Sequence, residues 1–244
     1  MRAATPQRPE RGFTILELMI ATAIFLVICG AMFALLQLSQ QKYSGETQLS
    51  GAFQETRLAV DQIVRDVNVS GYPSQSMFSK LPSDTTQYAQ SPVAWSPNYP
   101  GVPCSVGAGG GPCTTPGDFD LILETDLGNG NGVSWIRYQL NSTTLFRSVV
   151  PKKAGKDPAA ETSDPAVMVP FLTNVLNSPA QPIFQFTCDT PAGPQPCPAA
   201  GGNGVPNNIR DVDITLIVNT RQPDLQTGRL KLVELEGRGH RVNP

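Results

Sequence analysis

The feature that most restricts this chain lies near its start. From Leu18 to Leu36 there are 19 consecutive residues without a charge. As a helix they span about 28 Å, close to the ~30 Å hydrocarbon core of a bilayer. The twelve residues before the apolar stretch, MRAATPQRPERG, carry Arg2, Arg8 and Arg11 against Glu10 and almost no apolar bulk. Basic residues on that flank place the N-terminus on the cytoplasmic side, so everything after residue 40 is expected to be exported. A secretory signal has a shorter apolar stretch followed by a small-residue cleavage site, and neither applies here. Hydropathy alone reads this segment as an uncleaved signal anchor. Glu17 does not fit a plain anchor. An acid at the mouth of a membrane segment usually has a partner, and Arg11 is six residues back.

The run Arg11-Gly12-Phe13-Thr14-Ile15-Leu16-Glu17-Leu18 resembles the processing signal of the type IV prepilin family, which includes pilins and type II secretion pseudopilins. The resemblance is carried by a short basic leader ending in Gly, the Phe-Thr start, Glu as the fifth residue after that Gly, and the long apolar run. It implies cleavage between Gly12 and Phe13 by a prepilin peptidase, N-methylation of Phe13, and retention of the apolar segment. It also implies an assembly role for Glu17. The new amine on Phe13 of a neighbouring subunit would neutralise the acid in a low-dielectric helix bundle. Such a pair would set register, as a buried polar group does in a coiled coil. Losing the leader removes three arginines and one glutamate, taking the formal net charge from −2 to −4.

Helical patterning continues beyond the apolar run. No proline occurs between Pro9 and Pro73. Leu49, Phe53, Thr56, Val60, Ile63 and Val67 recur at steps of four and three, a stripe suited to packing on a head. Arg57–Asp61 and Asp61–Arg65 are i,i+4 charge pairs on the other side. Gly45 and Gly51 cost about 1 kcal/mol each relative to Ala. Gly71-Tyr72-Pro73 ends the pattern. A helix from Phe13 to about Ser70 would run roughly 87 Å. A parallel coiled coil is the rival, but the heptads are too few to favour it.

Residues 73–117 hold eight prolines and read as a long exposed loop region. Strand signals follow. Phe119–Leu123, Val133–Asn141 (with Ile136, Tyr138 and Leu140 on one face) and Thr144–Val150 make a three-stranded antiparallel meander over 118–150, with Gly128–Gly132 and Asn141–Thr143 as turns. Residues 166–176 are ambiguous because Pro170 interrupts them. Ile183–Cys188, the alternation around Val212, Ile214, Leu216 and Val218, and Leu230–Leu235 supply the remaining strands. The expected fold is α+β: a long N-terminal helix, half membrane and half amphipathic, packed on an antiparallel β-sheet head. Its segments are a leader (1–12), a transmembrane or filament-core helix (13–38), an amphipathic continuation (39–72) and a disulfide-bonded head with Pro/Gly-rich loops (73–244). The order of elements, with Trp135–Leu140 followed by Leu145–Arg147, resembles W-type minor pilins and J-type pseudopilins. Many major pilins carry a proline within the apolar segment, and this chain does not.

An exported head makes Cys104, Cys113, Cys188 and Cys197 disulfide candidates. Three connectivities are open. The two local pairs, Cys104–Cys113 and Cys188–Cys197, are favoured because each brackets a Gly/Pro-rich segment. Cys29 reads as a small apolar residue of the membrane helix. A zinc site would lack any Cys-x-x-Cys pair. The Asp126–Gly132 run mixes oxygen donors with glycines, but its spacing does not suit an EF-type calcium loop, and a hairpin turn explains it better. Gly109-Gly110-Gly111 lacks the Gly-Lys-Ser/Thr of a phosphate loop. Asn141-Ser142-Thr143 fits a short glycosylation sequon in a turn. Asp118, Asp120 and Glu124 read as solvated strand-edge acids rather than acid–base catalysts. With His240 as its one histidine, the chain has no Ser-His-Asp constellation. Its formal net charge of −2 gives no basic surface for nucleic acid. No cofactor is expected. The reading is a non-catalytic minor pilin of a type IV pilus, in a priming or tip position. The alternatives are a J-type minor pseudopilin of type II secretion and, more remotely, a signal-anchored periplasmic enzyme or binding protein. Expected partners are the prepilin peptidase, other minor and major pilins or pseudopilins, the inner-membrane assembly platform and the membrane. The expected course is single-pass insertion in the inner membrane with a periplasmic head, followed by entry into a pilus or pseudopilus.

Overall fold

A computed structural model describes residues 12, 14–106, 113–197, 204–224 and 227–242. Its first element, α1 (Ile15–Val69), is one unbroken helix of 55 residues, about 82 Å long. Thr14 caps its start, the hydroxyl accepting from the Glu17 backbone N–H. The Ser70 N–H closes its end on the Val67 carbonyl, and Gly71 turns the chain away at a positive φ of 83°. The absence of proline lets the two halves run on as a single rod.

Among the described residues nine strands follow: β1 (Val93–Ala94), β2 (Asp120–Asp126), β3 (Val133–Asn141), β4 (Thr144–Pro151), β5 (Val169–Thr173), β6 (Phe184–Cys188), β7 (Gln195–Pro196), β8 (Ile209–Asn219) and β9 (Leu232–His240). A four-residue helix, α2 (Pro158–Glu161), lies between β4 and β5. All pairings between named strands are antiparallel. One sheet has the order β1-β2-β3-β4-β5 and the other β7-β6-β8-β9. The fold is thus α+β, a long N-terminal helix on antiparallel sheets. The meander over 118–150 is β2-β3-β4, with Leu123 opposite Ile136 and Ile136 opposite Val149. Residues 166–176 contain a strand after all. Pro170 is tolerated because β5 pairs only with β4 and is an edge, with a register shift at Leu145/Phe146.

The main core gathers α1 and both sheets. Ala59, Val60, Ile63 and Val67 meet Leu121, Leu123, Ile136 and Tyr138 of the first sheet and Phe184, Val212, Ile214 and Leu216 of the second. The docked stripe differs from the expected one. Phe53 is exposed, while Ala59 and Asp66 are buried. Asp61 pairs back to Arg57 at 3.9 Å and not forward to Arg65. The cause is the partner surface. The helix packs chiefly on β9 and β8, and the inward positions of β9 opposite Val212 and Ile214 are Gly239 and Gly237. A Cβ at Gly239 would lie 2.6 Å from Val67, and one at Gly237 would collide with Val60. Two glycines therefore form a trough, and the helix sits on strand backbone rather than on side chains. Farther back, Gly45 is buried beneath Asp224, whose carboxylate would lie 3.0 Å from a Cβ there.

Residues 73–117 are not the exposed loop region expected. Tyr88, Val93, Ala94, Trp95 and Tyr99 are buried. With Ile122 and Trp135, residues Ala94, Trp95 and Tyr99 form a second core on the far face of the first sheet. That is why β2 is buried along nearly its whole length. Its odd positions face the helix and its even positions face this proline-rich cover. The last strand also runs farther than its hydrophobic signal, to His240, because Glu234, Glu236 and Arg238 occupy the solvent side of an otherwise regular ladder.

Candidate assembly surface and buried polar clusters

The residues marked for processing and assembly lie at the free end of α1. Gly12 is exposed, and Phe13 falls outside the described residues. Glu17 sits in the first helical turn, exposed. Among the described residues, no cation pairs with it. From residue 15 to 38 every side chain is exposed except Cys29, which is half-buried and unpaired. Ile15, Leu18, Ile24, Phe25, Val27 and Phe33 are each more than half exposed. An 18-residue window of this helix has a mean hydropathy of 2.6 and no burial. Burying such a face contributes roughly 25 cal/mol per Å². The head supplies no surface for it.

The docked half is fastened by charge as well as by packing. Asp66 is buried on the inward face, where its Oδ2 accepts from Tyr138 Oη (2.6 Å) and from Arg147 Nη2 (2.9 Å). Arg147 Nε also donates to Tyr138 Oη at 3.0 Å. Burial and the neighbouring Asp66 carboxylate push the Tyr138 phenol above its ordinary value. Toward the N-terminal end of the docked half Lys231 reaches Glu46 (3.6 Å) and Asp224 (3.1 Å), while Arg221 reaches Glu55. The pairs to Glu46 and Glu55 have exposed carboxylates and are worth little each, while the Asp224 carboxylate is largely covered.

The structure joins Cys104 to Cys113 and Cys188 to Cys197, with Cα separations of 5.1 and 5.4 Å. Cys113 packs at both cores and Cys188 is fully buried at the end of β6. The Asp126–Gly132 run is a hairpin turn. Asp126 Oδ1 accepts from Gly128 N–H and Asn129 Oδ1 from Asn131 N–H, while Gly128, Gly130 and Gly132 take positive φ.

Asp120 and Glu124 are not solvated strand-edge acids. Both point to the covered face of β2. Asp120 takes a two-toothed pairing from Arg137 (2.8 and 2.5 Å), and Arg137 also donates to the Ala159 carbonyl within α2. Glu124 is fully buried. Its Oε1 accepts from Lys152 Nζ (2.6 Å) and Gln90 N–H (2.9 Å), and its Oε2 from Tyr99 Oη and Trp135 Nε1 (3.3 Å). Burial pushes the Glu124 carboxyl up against the opposing pull of Lys152. The sequence did hold a signal for this cluster. A Glu directly after Leu121-Ile122-Leu123 in a strand buried on both faces needs an internal cation. The identity of that cation, 28 positions on, was not readable from spacing.

Among the described residues, no group of three or more His, Cys, Asp or Glu is placed to hold a metal. Across the curated proteins and the solved structures compared, no match to the chain was found. Residues 7–33 do match the prokaryotic N-terminal methylation motif, of the type IV prepilin kind. That span covers Gly12, Phe13, Glu17 and most of the apolar segment, so the chain carries an N-terminal methylation motif like that of type IV prepilins.

Proposed function

We propose that this chain is a non-catalytic minor pilin. It is cut after Gly12, methylated on Phe13 and built into a type IV pilus through the first half of α1, at a priming or tip position. One observation carries the reading. The helix bearing the motif leaves residues 15–38 unburied by their own head, yet continues without a break into a half locked onto two sheets. A rod fixed to the head at one end and apolar at the other suits transfer from bilayer to filament core, with the head riding outside. The unbroken, proline-free apolar segment favours a minor over a major subunit. In this reading the N-terminus is cytoplasmic, the head is periplasmic before assembly, and the partners are the prepilin peptidase, the assembly platform and other pilins. Glu17 meets the Phe13 amine of a staggered neighbour.

Mass spectrometry of the protein isolated from its host is the test. The expected mature chain begins with N-methyl-Phe13. Retention of Met1, or a start beyond residue 36, would replace this reading with that of a tethered periplasmic protein.

A further inference from the structure

The cluster around Glu124 brings together the reactants of a covalent bond. Lys152 Nζ is fully buried between two carboxyls, 2.6 Å from Glu124 Oε1 and 3.3 Å from Asp84 Oδ1. The two acids are not equivalent. Glu124 already receives four donors, from Lys152, Gln90, Tyr99 and Trp135. The Asp84 carboxyl is held on one side, where Gly155 N–H donates to Oδ2. Its Oδ1 is buried and accepts no hydrogen bond among the described residues, because its approach to Lys152 lacks hydrogen-bond geometry. The remaining walls are the Tyr88 and Tyr99 rings, with centroids 5.6 and 5.7 Å from Nζ, and the Tyr88 carbonyl, which accepts from Nζ at 3.3 Å. An ammonium here has exchanged its water for rings and carboxyls. Glu124 Oε1, in contact with that ammonium, is the group placed to take its proton.

We infer that Lys152 and Asp84 condense into an amide, with Glu124 as the catalytic residue that takes and hands on the protons. Glu124 receives one proton from the Lys152 ammonium and passes it to the Asp84 carboxyl. The amine lone pair attacks Asp84 Cγ, forming the C–N bond while Gly155 N–H steadies the charge gathering on Oδ2. A second proton leaves nitrogen by way of Glu124 for Oδ1, the C–Oδ1 bond breaks, and water departs. Nothing is oxidised or reduced, and no co-reactant is needed. Holding amine and carboxyl in contact replaces a bimolecular encounter, the largest obstacle to amide formation between side chains. The product ties the proline-rich cover of the first sheet to the residue just after β4. The cover would then be sealed by a bond that reduction of the disulfides leaves intact.

Intact and peptide mass spectrometry of the full-length protein, purified in detergent and reduced, tests this. The expected chain is lighter than its processed sequence by one water, and digestion yields a branched peptide joining Lys152 to Asp84. Asp84→Ala should restore the missing water. Glu124→Gln keeps the shape but cannot take the proton. It should slow linkage roughly a hundredfold, the low end of what acid–base catalysis contributes, so freshly made protein stays mostly open. A native chain of full mass, with Lys152 and Asp84 recovered in separate peptides, overturns the inference. So does a link from Lys152 to Glu124.

Discussion

The two halves of α1 obey one backbone geometry and opposite surface rules. Residues 45–69 are fitted to a particular surface. Val60 and Val67 rest on strand glycines, Ile63 is fully buried, and Asp66 is held by Tyr138 and Arg147. Residues 15–38 are left unburied by the head, and Glu17 is their one charged side chain. Helix formation therefore says little about what a helix is for. The difference lies in whether the partner surface is in the same molecule. A docked half can be specific residue by residue. An undocked half must carry its specificity in the few polar groups, above all the one charge, that it presents to another chain.

The sharpest break of this comparison is Glu17→Ala. It should leave membrane insertion, leader cleavage and head melting unchanged while filament incorporation collapses. The neighbour's amine is then buried without its counter-charge, a loss of order 3–5 kcal/mol. Co-purification with sheared filaments, with membrane-fraction and cleavage controls, reads this, and wild-type incorporation would remove the role assigned to Glu17. Next in size is a matched pair of truncations, Ile63→Ala and Ile24→Ala. The first should destabilise the head by about 2–5 kcal/mol in thermal or denaturant unfolding. The second should not move the head transition at all. If both do, the halves are coupled and the division drawn here fails.

A third substitution, Gly239→Val, fills the trough beneath Val67. It should cost about 1–3 kcal/mol of head stability by overpacking, with no effect on membrane retention. Any gain in stability would mean that the helix is not seated on β9 as described. The smallest effect is a pH slope confined to the head. Burial raises Glu124 above its ordinary value of 4.5. Between that value and its folded one, the native state holds more protons than the unfolded state. Its contribution is therefore complete below about pH 4.5 and is lost as pH rises through the folded pKa, at up to about 1.4 kcal/mol per pH unit. Chemical unfolding as a function of pH should show this slope flattened in Glu124→Gln.

Much of this arrangement was legible from the chain. Val133–Asn141 reads as a strand from its alternation, and the helix limits follow from the spacing of Pro9 and Pro73 around a 3.6-residue pattern. What a one-dimensional pattern records is the polarity of each residue's surroundings, not which element provides them. Phe53 continues the helical stripe perfectly well, yet it stays 44% exposed, lining an open groove beside the start of β9. Gly237 and Gly239 look like weak points of a strand until a helix is laid across them. The proline-rich segment 73–117 has no periodicity to read, because its burial is achieved by Tyr88, Trp95 and Tyr99 placed one at a time. Glu124 was misjudged for the same reason. A buried acid and a solvated one differ by what covers them, and the cover is encoded elsewhere.

The trough in β9 also carries a timing consequence. His240 N–H donates to the side chain of Asn68 across a separation of 172 residues, so the helix meets its seat only after almost all of the described chain has been made. Contacts between such distant segments form late, since the closure entropy of the long intervening loop must be met first. During synthesis the second half of α1 therefore waits, helical or not, for a strand that has yet to be made. A chain interrupted before β9 would have no seat for its helix. The same contact thus makes the docking of the helix conditional on an intact C-terminal strand.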